Sequence, residues 1–248
     1  MSFDSTFALH QRVALQFSGG KDSLAVLYVM RPYWDRLTVY YCNSGDAFPE
    51  TIELINKVKQ EVPHFIEVAG RQPQVLATLG WPSDIVTCGS TPFGRMMGHD
   101  EPALIDRYTC CFKSLMEPMY ERMKADRITL IIRGQKNDDA NKPPLRSGST
   151  LDGFEFLYPI ENWSLGDIFT YLTAVGAPIP QYYADGMTSA PDCMSCTAWL
   201  EHKLPQYVER YHPERYGNLM TRLNTIAAVV QPYVEQLQNT VKGLTAHG

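Results

Sequence analysis

Apolar runs alternate with stretches of helical periodicity along most of the chain. Continuous apolar runs rich in β-branched residues predict buried strands at residues 12–17, 37–42, 64–68, 127–134 and 154–160. Apolar side chains at helical spacing predict helices at residues 22–30, 49–61, 113–125 and 164–172. Because strands and helices alternate, the pattern predicts an α/β fold with a doubly wound, mainly parallel five-stranded sheet and flanking helices.

The second half of the chain departs from this alternation. Residues 134–153 are polar and rich in glycine and proline, which predicts a long loop of the functional or mobile kind. The next helix opens with the capping-box residues Ser164 and Asp167. From about Trp199 the pattern is helical, with a kink expected at Pro232. We therefore expect a main domain over residues 1–198 and a helical C-terminal extension over residues 199–248 packed on it.

Composition narrows the class of protein. The 248 residues are 44% hydrophobic and carry a net charge of −5, an ordinary soluble composition. This acidic balance argues against a generic nucleic-acid coat protein, although it allows a local basic groove. No run approaches the ~18 apolar residues of a membrane span, and the first residues lack the pattern of a signal peptide. We expect a cytoplasmic protein with no membrane partner.

The stretch "QFSGGKDSLAVLY" (residues 16–28) joins the first strand to the first predicted long helix through a glycine turn. Free N–H groups at a helix N-terminus bind phosphate oxygens, and Lys21 adds a positive charge. The stretch is not a Walker A loop. That motif requires glycine where Leu15 stands and serine or threonine where Asp22 stands.

Residues 18–23 resemble the pyrophosphate (PP) loop, Ser-Gly-Gly-x-Asp-Ser, of ATP pyrophosphatases in the adenine nucleotide alpha-hydrolase-like superfamily. The resemblance implies that the loop binds the β- and γ-phosphates of ATP, with Mg²⁺, while the α-phosphorus is attacked and pyrophosphate leaves. The residues that would hold the pyrophosphate and its metal are Ser18, Gly19, Gly20, Lys21, Asp22 and Ser23.

Three further stretches are similar to the phosphoadenylylsulfate (PAPS) reductase family, and the resemblance covers roughly residues 12–200. They are "NSGDAFPET" (43–51), "RGQKNDDANKPP" (133–144) and "YPIENWSLGDIFTYL" (158–172). The nucleotide contacts implied by the first two are Asn43, Ser44, Gly45, Asp46 and Gly134, with Asp46 also a candidate metal contact. Arg133 and Lys136 are implied as charges at the transferred group. Asp138 or Asp139 would orient the acceptor or the metal, unless the pair is simply solvated.

Cysteine placement adds a possible metal site. The adjacent pair Cys110 and Cys111 and the CxxC of Cys193 and Cys196 make four candidate ligands, whereas Cys42 and Cys88 lack partners in the pattern and are expected to be inert. Four thiolates suit a [4Fe-4S] cluster, one per iron. Zinc is a second reading, and thiols that are buried or redox-active without a metal are a third.

"TCCFKSLMEP" and "DCMSC" resemble the segments that ligate a [4Fe-4S] cluster in adenylylsulfate reductases and in the iron–sulfur ATP pyrophosphatase of bacterial DNA phosphorothioation systems. The resemblance places the Lys113 ammonium beside the cluster and within reach of the nucleotide phosphate; a solvated helix lysine is the alternative. The family's reductases also carry a catalytic cysteine near the C-terminus. Residues 198–248 contain no cysteine, so the reductase route has no obvious nucleophile.

We therefore predict an ATP pyrophosphatase that adenylates an acceptor and supports iron–sulfur-dependent sulfur transfer, as in DNA phosphorothioation or nucleobase thiolation. The catalytic candidates are Lys21, Asp22, Lys113, Arg133 and Lys136. One alternative is an adenylylsulfate or PAPS reductase that releases sulfite. Another is a nucleotide-binding regulatory subunit of a sulfate-activation-like complex. Expected partners are ATP or an adenylylated small molecule, a cysteine desulfurase or other sulfur donor, nucleic acid as acceptor, and further copies of the chain or other subunits.

Overall fold

The structure is a computed structural model, and it describes residues 3–139, 144–189, 191–200 and 203–245. The strands are β1 (Val13–Gln16), β2 (Thr38–Asn43), β3 (Phe65–Ala69), β4 (Trp81–Ser83), β5 (Leu104–Asp106), β6 (Leu130–Ile132), β7 (Thr150–Leu151) and β8 (Phe154–Leu157). The α-helices are α1 (Asp4–Leu9), α2 (Lys21–Val29), α3 (Pro49–Glu61), α4 (Gln72–Leu79), α5 (Pro92–Met96), α6 (Arg107–Cys111), α7 (Glu117–Ala125), α8 (Leu165–Ala174), α9 (Gln181–Ala184), α10 (Leu204–Tyr211) and α11 (Pro213–Thr245).

The central sheet has the strand order β3-β2-β1-β6-β8-β7 in the described chain. Strand β1 lies between β2 and β6, and all its pairings are parallel. Only the pairing of β7 with β8 is antiparallel in the described part of this sheet. The predicted α/β fold with a mainly parallel sheet is confirmed, but the sheet has six strands where the pattern predicted five. The sixth, β7, consists of two exposed residues within the predicted loop 134–153, so it carries no hydrophobic signal.

Both faces of the central sheet are covered, as a parallel sheet requires. On one face, Leu15 and Val39 pack in a cluster with residues of α2 and α8. On the other face, the neighbouring residues Ala14 and Tyr40 pack with Met123 of α7. Successive strand residues point to opposite faces, and this alternation divides the core into two layers. The phosphate loop lies at the end of β1, in the middle of the sheet.

A second, two-stranded sheet lies between α4 and α6, where the pattern predicted no strand. Strands β4 and β5 pair in parallel over three residues each, too few to show a period in the sequence. At Gly80, which precedes β4, a Cβ atom would lie 2.0 Å from the Ala103 carbonyl oxygen, so this close approach requires glycine. Ile226 and Val230 of α11 pack on Leu104, and α11 continues through Pro232.

Two local expectations on helices have clear outcomes. The capping box of α8 is present: the Ser164 hydroxyl accepts the Asp167 N–H, and the Asp167 carboxylate accepts the Ser164 N–H. The helix predicted over residues 113–125 is interrupted, because Phe112–Met116 forms a π-helical turn before α7. Such turns are frequent at functional sites. None of the described helices has the length and apolar character needed to cross a membrane.

Candidate functional site

The phosphate loop is preformed at the junction of β1 and α2. The Ser23 hydroxyl donates to the Gly20 carbonyl oxygen at 2.9 Å and accepts the Ser18 N–H at 3.2 Å. Gly19 has φ +80°, a conformation that glycine adopts without strain. The Lys21 N–H, at the start of α2, donates to the Tyr183 hydroxyl at 2.8 Å. The loop thus presents a helix N-terminus, the ordinary site for a phosphate group.

A buried charge network stands beside the loop. Asp22 accepts from the Lys21 ammonium at 2.9 Å and lies 3.4 Å from the ammonium of Lys136. Burial alone would lower the pKa of Lys136, but its hydrogen bond to Asp139 and the charge of Asp22 outweigh that effect and raise the pKa. The ammonium therefore stays charged. The Oδ1 atom of Asp22 is buried and accepts no hydrogen bond, and its cationic neighbour is the Lys136 ammonium at 3.4 Å.

One cavity of about 660 Å³ joins this loop to the cysteines. The phosphate loop contributes Ser18, Lys21, Asp22 and Ser23 to its wall. The segment after β6 contributes Arg133, Gly134, Gln135, Lys136, Asp138 and Asp139. The opposite side is formed by Cys42, Cys111, Thr188, Ser189, Asp192 and Trp199, with Leu115, Met116, Met119 and Tyr120 as an apolar wall. The structure thus brings four of the six predicted loop residues, all five candidates after β6 and one of the four predicted cysteine ligands into a single chamber.

The four predicted ligand cysteines come from two distant segments, and all four are free thiols. The charge of Cys196 contributes to raising the pKa values of the other three. Burial, the largest effect, raises the pKa of Cys111 to about 12. Within residues 3–139, 144–189, 191–200 and 203–245, no three His, Cys, Asp or Glu side chains stand in a metal-ligating arrangement.

The Cys110 sulfur lies 3.9 Å from the Ser114 hydroxyl, within hydrogen-bond distance for sulfur. Hydrogen bonding from the Trp199 side chain at Cys111, and from the N–H groups of Ala198 and Trp199 at Cys196, opposes the larger effect of burial on the pKa values of these two thiols. Hydrogen bonds to sulfur are a recurrent feature of iron–sulfur sites, where they tune the reduction potential. In number and type the four thiols match the ligands of a [4Fe-4S] cluster, but in the described residues they do not stand in a ligating arrangement.

Two residues of this region were not predicted as site residues from the sequence. Asp192 lies on the cavity wall directly before Cys193; its side chain is exposed, and partial desolvation by the cavity raises the pKa of the carboxyl. Trp199 forms part of the cavity wall together with Cys111, and the Arg107 guanidinium carbon lies 4.2 Å from the centroid of its ring. The signal for Asp192 was the acidic residue directly before the CxxC; nothing in the pattern marked Trp199. A perturbed carboxyl inside a cleft is characteristic of functional sites.

Ten predicted site residues are not part of the cavity wall: Gly19, Gly20, Asn43, Ser44, Gly45, Asp46, Cys110, Lys113, Cys193 and Cys196. The Lys113 ammonium is partly exposed and binds Glu117 at 2.7 Å. Asn43 bonds Glu67, and Gly45 makes the turn that follows β2 with φ +83°. Ser44 and Asp46 bond the loop that carries Cys193 and Cys196. A nucleotide contact by any of the four residues after β2 stays a prediction, as does a role of Lys113 at the cluster.

The fold and this cavity agree with a sequence match to a known family. The model of the phosphoadenosine phosphosulfate reductase domain matches residues 12–199. The chain belongs to this family, which confirms the resemblance seen in its motifs. Membership places it among nucleotide-binding proteins of sulfur-related chemistry. No curated protein matches the chain.

One solved structure shows the same fold at low identity, and two others are similar to the chain at lower TM-scores. A phosphoadenylyl-sulfate reductase from Candida auris is 14% identical with a TM-score of 0.51, over 73% of this chain and 80% of that one. The U34-tRNA thiolase NcsA from Methanococcus maripaludis, with its [4Fe-4S] cluster, is 13% identical with a TM-score of 0.46, over 89% and 72%. Yeast FAD synthetase is 14% identical with a TM-score of 0.43, over 72% and 55%.

Proposed function

We propose that this chain is a PP-loop ATP pyrophosphatase that adenylylates an oxygen of an acceptor, releases pyrophosphate, and supports sulfur transfer to that acceptor. The observation that carries the proposal is the single cavity whose wall holds both the phosphate loop and Cys111. ATP activation and sulfur chemistry would share one chamber, so an activated acceptor need not leave before it meets sulfur. Thiolation of a DNA phosphate or of a nucleobase are the reactions of this type that we consider.

The residues of the cavity fit the first half of this reaction. The acceptor oxygen forms a bond to the α-phosphorus while the bond from that phosphorus to the pyrophosphate oxygen breaks. The leaving pyrophosphate gains negative charge, which Lys21 and the N-terminus of α2 stabilise. Arg133 and Lys136 neutralise charge on the transferred group. Asp22 would hold the Mg²⁺ that accompanies the phosphates, through the Oδ1 atom that here faces the Lys136 ammonium.

The cysteine end fits the second half. Cys110, Cys111, Cys193 and Cys196 would hold a [4Fe-4S] cluster, which would supply electron-transfer and sulfur chemistry beside the activated acceptor. The sulfur would come from a persulfide donor such as a cysteine desulfurase, with an external thiol reductant providing the two electrons that release it as sulfide. That sulfide forms a bond to the activated atom of the acceptor while the bond from this atom to the AMP oxygen breaks, and AMP leaves. Trp199 and the apolar wall of Leu115 and Met119 limit water around the activated acceptor, which would otherwise hydrolyse.

Replacing Asp22 with Ala is expected to lower pyrophosphate release from ATP by about 100-fold or more, because the charge network and the cation-binding oxygen are lost together. The measurement is pyrophosphate formation by cluster-loaded protein with DNA and RNA offered as acceptors. Glu53→Ala, at an exposed residue of α3 paired with Lys57, is the matched control and should change nothing. If no acceptor yields pyrophosphate and Asp22→Ala is without effect, the proposed function is wrong.

A sulfonucleotide reductase is the second candidate, because Cys42 places a thiol on the cavity wall that the sequence did not lead us to expect. Burial, followed by the charge of Asp192, raises the pKa of Cys42 to about 12, so the thiol is neutral and weakly nucleophilic near pH 7. We therefore expect no sulfite from adenylylsulfate or its 3′-phosphate with thioredoxin. Sulfite release that disappears in Cys42→Ser would establish the reductase instead.

A further inference from the structure

Asp46 is bonded to both residues that separate the two cysteines of the CxxC. Its Oδ2 atom accepts the Ser195 N–H at 2.9 Å and the Ser195 hydroxyl. Its backbone carbonyl oxygen accepts the Met194 N–H at 2.6 Å. Gln72 of α4 donates to the same carboxylate oxygen at 3.3 Å. One side chain at the end of β2 therefore holds the middle of a loop almost 150 residues away in the sequence.

Ser44, two residues earlier, holds the first part of the same loop. Its hydroxyl donates to the Asp192 carbonyl oxygen at 2.8 Å, and it accepts the Asp46 N–H at 3.2 Å. The turn after β2 thus bonds Asp192, Met194 and Ser195 of this loop.

The loop needs such an anchor because it has no regular secondary structure of its own. Residues 185–189 and 191–199 adopt turns and bends, so no helix or sheet ladder satisfies their backbone groups. Arg222 of α11 supports the loop from the other side, donating to the Ser195 hydroxyl at 2.9 Å. Since that hydroxyl donates to Asp46, Ser195 links a cation of the C-terminal helix to a carboxylate of the central sheet.

We propose that Asp46 is a positioning residue for the cysteine site, which keeps Cys193 and Cys196 turned toward Cys110 and Cys111. This inference rests on the proposed function only in taking the four cysteines as ligands. Asp46 is absent from the cavity wall, and every polar contact described for its carboxylate goes to Ser195 or Gln72. The "NSGD" turn therefore positions the loop that carries Cys193 and Cys196. Through Ser195, α11 also contributes to holding this loop.

The test is Asp46→Ala, measured first without metal or nucleotide. Differential alkylation and peptide mapping of the reduced, metal-free chain should show Cys193 and Cys196 reacting about tenfold faster than in the unchanged protein, because charge-assisted bonds that close the loop are lost. Iron retained after anaerobic reconstitution should fall in parallel. ATP affinity, measured by calorimetry, should stay within about twofold, since the phosphate loop makes no contact with Asp46.

Three further variants make the result decisive. Asp46→Asn keeps an acceptor oxygen and should restore part of the protection, and Ser195→Ala should open the loop to a smaller extent than Asp46→Ala. Glu67→Ala removes a carboxylate near the same sheet edge and should alter neither alkylation nor iron. Unchanged alkylation in both Asp46→Ala and Ser195→Ala, or a loss of ATP binding with protected thiols, would overturn the proposal. Alkylation is measured without ATP or metal. The role of Asp46 can therefore be tested even if the protein releases no pyrophosphate and the proposed function is wrong.

Discussion

Replacing Gly134 with Ala is expected to weaken ATP binding by about 100-fold, although Ala adds a single methyl group. A Cβ at this position would lie 2.6 Å from the Asp22 carbonyl carbon and 2.7 Å from the Ser23 nitrogen. Both atoms belong to the backbone of α2, so no side chain can rotate away. The first turn of α2 must shift, and the N–H groups that bind phosphate shift with it. Calorimetric titration with ATP measures the loss.

Gly217→Ala is the control for this prediction. Gly217 lies in α11, and a Cβ there meets no atom within 4 Å. Because Ala is the better helix former by about 1 kcal/mol, this change should leave ATP binding intact and stabilise the chain slightly. If Gly134→Ala binds ATP as tightly as the unchanged protein, then the end of β6 does not fix the position of the phosphate loop, and our description of the site is wrong.

Replacing Cys111 with Ser is expected to lower bound iron from about four atoms per chain to nearly none, because a cubane cluster uses one protein ligand per iron. Anaerobic purification, an absorption spectrum and an iron and sulfide count measure the change. Cys111 is the most informative of the four cysteines, since it also forms part of the cavity wall. The same variant should retain ATP binding, because the phosphate loop lies on the opposite side of the cavity.

Cys88→Ser is the matched control for the cluster, because Cys88 is exposed and is not part of the cavity wall. Its iron content should equal that of the unchanged protein. If the protein binds zinc instead of iron, and the zinc is lost when the four cysteines are replaced, then the ligand assignment is correct and the metal is zinc. Iron that survives replacement of Cys110, Cys111, Cys193 and Cys196 together would contradict the assignment of these residues as ligands.

Several features were predictable because they depend on residues that are neighbours in the sequence. The phosphate loop is one of these: Ser18 and Ser23 bond each other across a single strand–turn–helix junction. The capping box at Ser164 is another. The long strands were visible because their apolar runs fill both layers of the core. Strands β4, β5 and β7 were missed because each is short and lies in no longer apolar run, whereas β6, also three residues long, lies within the apolar run of residues 127–134.

The placement of the turn after β2 shows what the sequence left open. Its likeness to a family segment near the nucleotide predicts Asp46 as a nucleotide or metal contact, and that contact stays a prediction. The bonds of Asp46 to Ser195 form across the fold, and no spacing in the sequence indicates them. The positions of Asp192 and Trp199, from the irregular segment 191–199, and of Cys42, from β2, on the cavity wall also depend on the fold.

The sequence by itself determined the family, the phosphate loop and the identity of the four candidate thiols. These features depend on residue type and on residues that are close together in the sequence. Only the tertiary structure decided that the phosphate loop and Cys111 open into one cavity, and that β2 and α11 together hold the CxxC. Those relations depend on how a parallel sheet orders its strands and brings distant loops to one edge. That order is settled by packing across the whole core, and local pattern does not specify it.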